Sequence, residues 1–192
     1  MRLSVAAPYI VLFGLLSLTI ALEAAQAKAP KSIEPPKAVE FDGRTLNLAW
    51  QGENPEQPVA EFIPEGETLD KWTHLASIRR YPDLEDAQGL AKMTVEEVQE
   101  TYPGSPTNLV DDPKGSDAII EFVVESPDKT FAEYNLFKYA KDPAGGVVAQ
   151  QYALRTYGDR KTFLDELTAK RQKLLDEMAD SGLAAVSAKK AE

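Results

Sequence analysis

Residues 118–157 read AIIEFVVESPDKTFAEYNLFKYAKDPAGGVVAQQYALRTY, and this stretch carries the strongest strand pattern of the chain. Its first segment alternates apolar and acidic side chains, as a strand with one buried face does. The turn sequences at 126–129 and 142–146 separate that segment from two further apolar segments, 131–139 and 147–157. Because parallel strands need longer crossovers, such short connections predict an antiparallel, C-terminal three-strand meander.

A long amphipathic helix is predicted directly after these strands. Gly158 ends the last strand, and Asp159 is a suitable N-cap for a helix that runs to about Ala179. The helix carries one apolar stripe, formed by Phe163, Leu167, Leu174 and Met178. We expect this stripe to cover one face of the meander.

The preceding half of the chain contains weaker patterns. Segments 45–50 and 59–63 are predicted as short strands, and 73–81 fits either a strand or a helix, with the strand favoured. Segments 84–91 and 94–102 have helical spacing, the second after a Thr-x-x-Glu capping pattern. We expect them to form two short helices on one side of the sheet.

The N-terminus has the features of an export signal. Arg2 precedes an uncharged stretch over residues 5–22, and Ala25-Gln26-Ala27 provides the small residues that signal peptidase requires. The alternative is a retained membrane anchor, since the apolar stretch has nearly the length that spans a bilayer. Pro8 and Gly14 interrupt the stretch and favour cleavage. We therefore expect a periplasmic protein without stable membrane insertion after cleavage.

These patterns divide the chain into four parts. Residues 1–27 form the signal peptide, 28–44 a flexible linker rich in Pro and Lys, 45–180 a single domain and 181–192 a disordered tail. The predicted fold class is α+β: a mainly antiparallel sheet with the C-terminal meander, covered on one face by the long helix, plus short helices.

Composition narrows the range of partners. The formal net charge is −10, which repels the phosphate backbones of nucleic acids and anionic lipids. The chain has no cysteine, so the domain must be stable without disulfides. We expect no nucleic-acid partner. The expected partner is an unknown protein or a small molecule.

His74 is the only histidine of the chain, and with no cysteine present the usual zinc ligand sets are excluded. We expect no cofactor and no metal. His74 could act as a base beside Glu65, Glu67 or Asp70, or it could be an ordinary surface histidine. The candidate binding residues are Trp72, His74, Glu65 and Glu67.

Other chemistry has less support. No serine lies in a Gly-x-Ser-x-Gly elbow. The acidic segments 83–86 and 111–117 lack the ligand order of an EF-hand loop. No residue is therefore assigned as catalytic.

The segment EFIPEGETLDKWT at 61–73 resembles a segment of small, uncharacterised exported proteins of Gram-negative bacteria. The resemblance implies a periplasmic location and implies no activity. We expect a non-catalytic binding or protein-interaction module. Two alternatives stay open: a periplasmic hydrolase that uses His74 or a carboxylate pair, and an envelope-assembly or inhibitor protein.

Overall fold

The structure is a computed structural model that describes residues 34–52, 57–111, 117–180 and 182–185. The elements, in chain order, are β1 (Ala38–Phe41), β2 (Arg44–Gln51), β3 (Val59–Ile63), β4 (His74–Tyr81), α1 (Ala87–Thr101), β5 (Thr107–Asp111), β6 (Ala118–Glu125), β7 (Ala132–Lys141), β8 (Val147–Thr156), α2 (Arg160–Asp180) and β9 (Ala184–Ala185). The predicted signal peptide, residues 1–27, lies outside the described residues.

All nine strands form one curled antiparallel sheet in the order β5-β6-β7-β8-β4-β3-β2-β1-β9. Strands β1 to β4 pair in sequence order, and so do β5 to β8. The two runs join where β4 pairs with β8, from His74 opposite Leu154 to Tyr81 opposite Val147. The class is α+β, with helices on both faces of the sheet.

The predicted C-terminal three-strand meander is therefore wrong as a description of the architecture. Strands β6, β7 and β8 lie close to their predicted positions, but they form the interior of the nine-stranded sheet. β5 pairs on one side of them and β4 on the other. Turn sequences reveal only neighbours that follow each other in the chain, so the β4–β8 pairing gave no local signal.

Helix α2 covers one face of the sheet. Asp159 caps it as expected, because its carboxylate accepts hydrogen bonds from the backbone N–H groups of Lys161 and Thr162. Its buried residues Leu167, Leu174 and Met178 pack in the larger apolar core. That core extends over both runs of strands and includes Phe41, Leu46, Phe62, Tyr134, Leu136, Tyr152 and Leu154. Helix α2 therefore covers strands of both runs, whereas the sequence predicted that it would cover the meander alone.

Helix α1 covers the opposite face near β5, β6 and β7. It is one continuous helix, whereas the sequence predicted two. Asp86 is its N-cap and accepts a hydrogen bond from Gly89 N–H, which makes Gly89 part of the first turn. Thr94, predicted as a second cap, lies within the helix and donates its hydroxyl to the Leu90 carbonyl.

Two short strands lie outside the predicted domain limits of 45–180. β1 falls within residues 28–44, which were predicted as a linker, and β9 falls within the predicted tail. Asp42 and Gly43 join β1 to β2, and their positive φ values of 50° and 67° are those of a tight hairpin turn. The ambiguous segment 73–81 contains a strand, β4.

Within the described ranges, no helix combines the length and the apolar character that are needed to cross a membrane.

Candidate functional site

A half-open cleft of about 400 Å³ lies at one end of the β4–β8 seam. His74 and Leu154, which face each other across the seam, both line it. The first turns of α2 form the second wall, and Arg44 approaches from the start of β2. The cleft thus brings together residues from both runs of strands and from α2.

A chain of hydrogen bonds holds the imidazole of His74. The Thr73 backbone N–H and hydroxyl donate to the two carboxylate oxygens of Glu67, each over 2.6 Å. The same Thr73 hydroxyl oxygen lies 2.8 Å from His74 Nδ1. The Glu67 carboxylate therefore fixes Thr73, and Thr73 fixes the imidazole ring.

These hydrogen bonds determine which ring nitrogen of His74 carries the proton. A hydroxyl has one proton, and that of Thr73 is donated to Glu67, so His74 Nδ1 must carry the proton that it shares with Thr73. In the neutral ring Nε2 is then a hydrogen-bond acceptor. Nε2 has no hydrogen-bond partner among the described residues, and His74 lines the cleft.

The surroundings of His74 keep its ring neutral. Burial lowers the pKa of His74 to about 4, and the positive charges of Arg44 and Lys170 act in the same direction. The negative charges of Glu67 and Asp42 oppose this shift without reversing it. At pH 7 the cleft therefore presents a neutral acceptor nitrogen at this position.

The cationic side chains of Arg44 and Lys170 line the cleft. Arg44 is exposed, and its side chain has no hydrogen bond or ion pair with the described residues. Lys170 Nζ lies 3.5 Å from Asp42 Oδ2, but Lys173 also contacts that carboxylate, at 2.8 Å. Burial alone would raise the pKa of Asp42, and the two lysines lower it below its ordinary value. The Asp42 carboxylate thus forms ion pairs with both Lys170 and Lys173, and Arg44 adds a further positive charge.

The acidic residues of the cleft are less available. Both carboxylate oxygens of Asp159 accept hydrogen bonds from the first turn of α2. Glu166 is exposed on the second turn and is the remaining carboxylate along this wall. The apolar part of the lining consists of Leu154, Phe163 and Leu167.

The four residues nominated from the sequence do not lie together. Glu67 supports His74 through Thr73, whereas Glu65 is exposed and does not line the cleft. Trp72 is 1% exposed and lies in an apolar cluster with Ile63 and Leu75. It is a core residue in this structure.

Sequence reasoning did not find Thr73, Arg44 or Lys170. The Thr73–His74 pair had a signal, since adjacent polar residues at a strand start can share a hydrogen bond. Arg44 and Lys170 had no such signal in the sequence, because only the complete fold brings β2 and α2 to the cleft.

A second polar cluster lies on the sheet face opposite α2. The Arg155 guanidinium donates to Glu133 Oε2 over 2.8 Å and 2.6 Å, and it lies between the rings of Trp72 and Phe131, 3.9 Å and 4.2 Å from their centroids. Hydrogen bonds continue from Glu133 through Asn135, Gln151 and Ser77, all of which are buried. Because these groups satisfy each other, we assign the cluster a structural role.

The described residues contain no group of three or more His, Cys, Asp or Glu side chains that could hold a metal ion.

A family profile matches residues 33–183, which include every residue of the cleft. The chain belongs to this family. The family is an uncharacterised one, and its profile extends from just before β1 to just before β9. No curated protein matches the chain.

Proposed function

We propose that this protein is an exported, non-catalytic binding protein of the periplasm and that the His74 cleft is its ligand-binding site. The observation that carries the proposal is the Glu67–Thr73–His74 chain, which orients one neutral acceptor nitrogen at the wall of the cleft. A fixed polar group beside apolar lining is typical of small-molecule sites. The volume of about 400 Å³ suits a small metabolite.

The basicity of His74 supports binding over catalysis. General bases work best when their pKa lies near the pH of the reaction. Burial and the neighbouring cations lower the pKa of His74 to about 4, so its Nε2 is a weak base at pH 7. The same nitrogen remains a good acceptor for a hydroxyl or amide donor.

The export part of the proposal depends on the leader at 1–27 and on the resemblance of 61–73 to exported proteins of Gram-negative bacteria. Expression of the full chain in a Gram-negative host tests it. We expect the protein in the periplasmic fraction with an intact mass that begins at Lys28. A full-length chain recovered from the cytosol would contradict this part.

The binding part can be tested with the small-molecule filtrate of a periplasmic extract. ¹⁵N-labelled mature protein should show chemical-shift changes at the His74 ring and at its cleft neighbours when filtrate is added. His74→Gln should weaken the response, and Glu65→Gln, outside the cleft, should not. An unchanged spectrum would contradict the choice of this cleft.

The hydrolase alternative keeps one observation in its favour. A carboxylate, a hydroxyl and an imidazole form a chain that ends on an open Nε2, which is how a base for water activation is oriented. Assays with p-nitrophenyl acetate and p-nitrophenyl phosphate test this alternative. Turnover that disappears in His74→Gln with an intact fold would overturn the non-catalytic proposal.

The envelope-assembly alternative has a different basis. Among the described strands β5 lies at an edge of the sheet and pairs with β6 alone, and its Val110 is 50% exposed. Edge strands can accept a strand from a partner protein. Crosslinking from position 110 in periplasm tests it: a specific partner that is lost when Val110→Pro is introduced would support this alternative.

A further inference from the structure

We propose that the ligand of the His74 cleft is a small hydroxy acid of about monosaccharide size, such as a sugar acid. This inference rests on the proposed binding function. It adds the chemical class of the ligand, which follows from three properties of the cleft: one neutral acceptor, unpaired positive charge and an apolar wall.

The neutral acceptor requires a donor from the ligand. His74 Nδ1 donates to Thr73, so Nε2 can only accept. A ligand with acceptors alone, such as acetate, leaves Nε2 without a hydrogen bond. A desolvated acceptor without a hydrogen bond disfavours the binding of such a ligand. The ligand must therefore carry at least one hydroxyl or N–H.

The positive charge requires an anion. Arg44 has no ion partner among the described residues, and Lys170 shares the Asp42 carboxylate with Lys173. The Arg44 guanidinium is therefore available to a ligand carboxylate, which a neutral solute does not offer. A guanidinium with free donors is well suited to a bidentate contact with a carboxylate.

The donor is better supplied by a hydroxyl than by an ammonium group. Arg44 and Lys170 lie close enough to His74 for their charges to disfavour its protonation. The same charges repel a cationic donor placed at Nε2, so an amino acid pays an electrostatic cost that a hydroxy acid does not. This comparison separates two ligand classes of similar size.

The apolar lining of the cleft indicates the size and shape of the ligand. Leu154 and Leu167 are almost fully buried and Phe163 is partly buried, so they offer a small C–H surface beside the polar groups. A sugar ring presents a C–H face together with hydroxyls. A sugar acid therefore matches the acceptor, the cations and the wall at once.

NMR titrations of the mature chain with D-galacturonate, D-galactose and propionate test the inference. D-galacturonate carries both the carboxylate and the hydroxyls, whereas each of the other two lacks one of these features. We expect galacturonate to shift the His74 ring signals and to bind at least about tenfold tighter than either control, a difference of about 1.4 kcal/mol.

The variants provide the matched controls. Arg44→Gln should weaken galacturonate binding about tenfold and leave galactose unchanged. Arg160→Gln, at an exposed arginine outside the cleft that pairs with Glu125, should bind as the wild type does. The ¹H–¹⁵N spectrum shows whether each variant is folded.

The outcomes separate the two proposals. If the filtrate of a periplasmic extract shifts the cleft signals but galacturonate does not bind better than galactose and propionate, the hydroxy-acid class is wrong and the binding function stands. If neither the filtrate nor any of the three probes shifts the cleft signals, both proposals fall.

Discussion

Arg155 is the residue whose removal should damage the fold most directly. Its guanidinium is buried between two aromatic rings and is paired with the buried Glu133. Loss of one member of a buried pair leaves the other charge uncompensated, which costs about 3–5 kcal/mol. Loss of both members removes that penalty.

We therefore expect Arg155→Met to lower the free energy of unfolding by about 3–5 kcal/mol in urea titrations. The double variant Arg155→Met/Glu133→Leu should lose clearly less than the sum of the single variants. The exposed pair Arg160–Glu125 is the control, and Arg160→Met should cost less than about 1 kcal/mol. Additive effects of the Arg155 and Glu133 variants would contradict this assignment.

His74 permits a direct test of the cleft electrostatics, because the only histidine of the chain gives a single imidazole titration. We expect an NMR pKa of about 4 for His74, with Arg44 and Lys170 facing it against Glu67 and Asp42. Arg44→Gln should raise this pKa, since a positive neighbour is removed. A wild-type pKa near 6.5 would show that the ring is solvated.

The same shift predicts a pH effect on stability. The unfolded chain takes up a proton on His74 below about pH 6.5, whereas the folded chain does so only near pH 4. Since the unfolded state binds more protons between these values, this contribution to stability falls as the pH decreases from 6.5 to 4. Urea unfolding of His74→Gln should lack this part of the pH dependence.

At the level of elements, the β7–β8 hairpin shows how a loop is attached to a distant strand. Gly145 and Gly146 both have positive φ, 107° and 83°. A Cβ on Gly146 would collide with the Tyr81 carbonyl and with Pro82, whereas a Cβ on Gly145 would meet open space. An added side chain would therefore be strained by the positive φ at both glycines, and it would also clash with neighbouring atoms at Gly146.

We expect Gly145→Ala to cost on the order of 1–2 kcal/mol from its positive φ. Gly146→Ala should cost an additional 1–3 kcal/mol or so, because the hairpin must move away from the end of β4. Thermal unfolding measures both. Equal losses would mean that the contact with Tyr81 is easily relieved.

The elements themselves were largely predictable from the sequence. Strand alternation and turn residues located β6, β7 and β8 closely, and the Asp159 cap located α2. β1 was missed although Asp42-Gly43 is a common hairpin turn between two strands. The four apolar and acidic residues of β1 are too few to stand out beside a proline-rich segment.

At the level of the whole molecule, β9 and the residue before it connect the segment 183–185 to the sheet. β9 pairs with β1, the Leu183 N–H donates to Gln150 Oε1 over 2.8 Å, and the Leu183 side chain is 7% exposed in the larger core. Leu183 is therefore part of the larger core.

Leu183→Ala should lower the free energy of unfolding by about 2–5 kcal/mol, as other buried leucines do. Ala185→Ser, at an exposed position of β9, should change it by less than about 0.5 kcal/mol. Chemical denaturation of both variants provides the comparison. A small loss for Leu183→Ala would show that the C-terminal segment detaches readily.

The architecture and the site were the parts that sequence reasoning could not supply. Strand order depends on the β4–β8 pairing, and the cleft depends on the same pairing, since Arg44, His74 and Lys170 come from distant segments. The composition nominated His74 because it is unique, and Glu67 because it is near in sequence. Glu65 was nominated for the same proximity, yet it lies outside the cleft.

The seam between β4 and β8 also has a consequence for refolding. Each run of four strands is built from contacts between sequence neighbours, but His74 must find Leu154 across an intervening helix and three strands. Closure of so large a loop is entropically slow. We expect seam closure to be the late, rate-limiting event of refolding, so the His74 ring should reach its native environment only in the slowest kinetic phase.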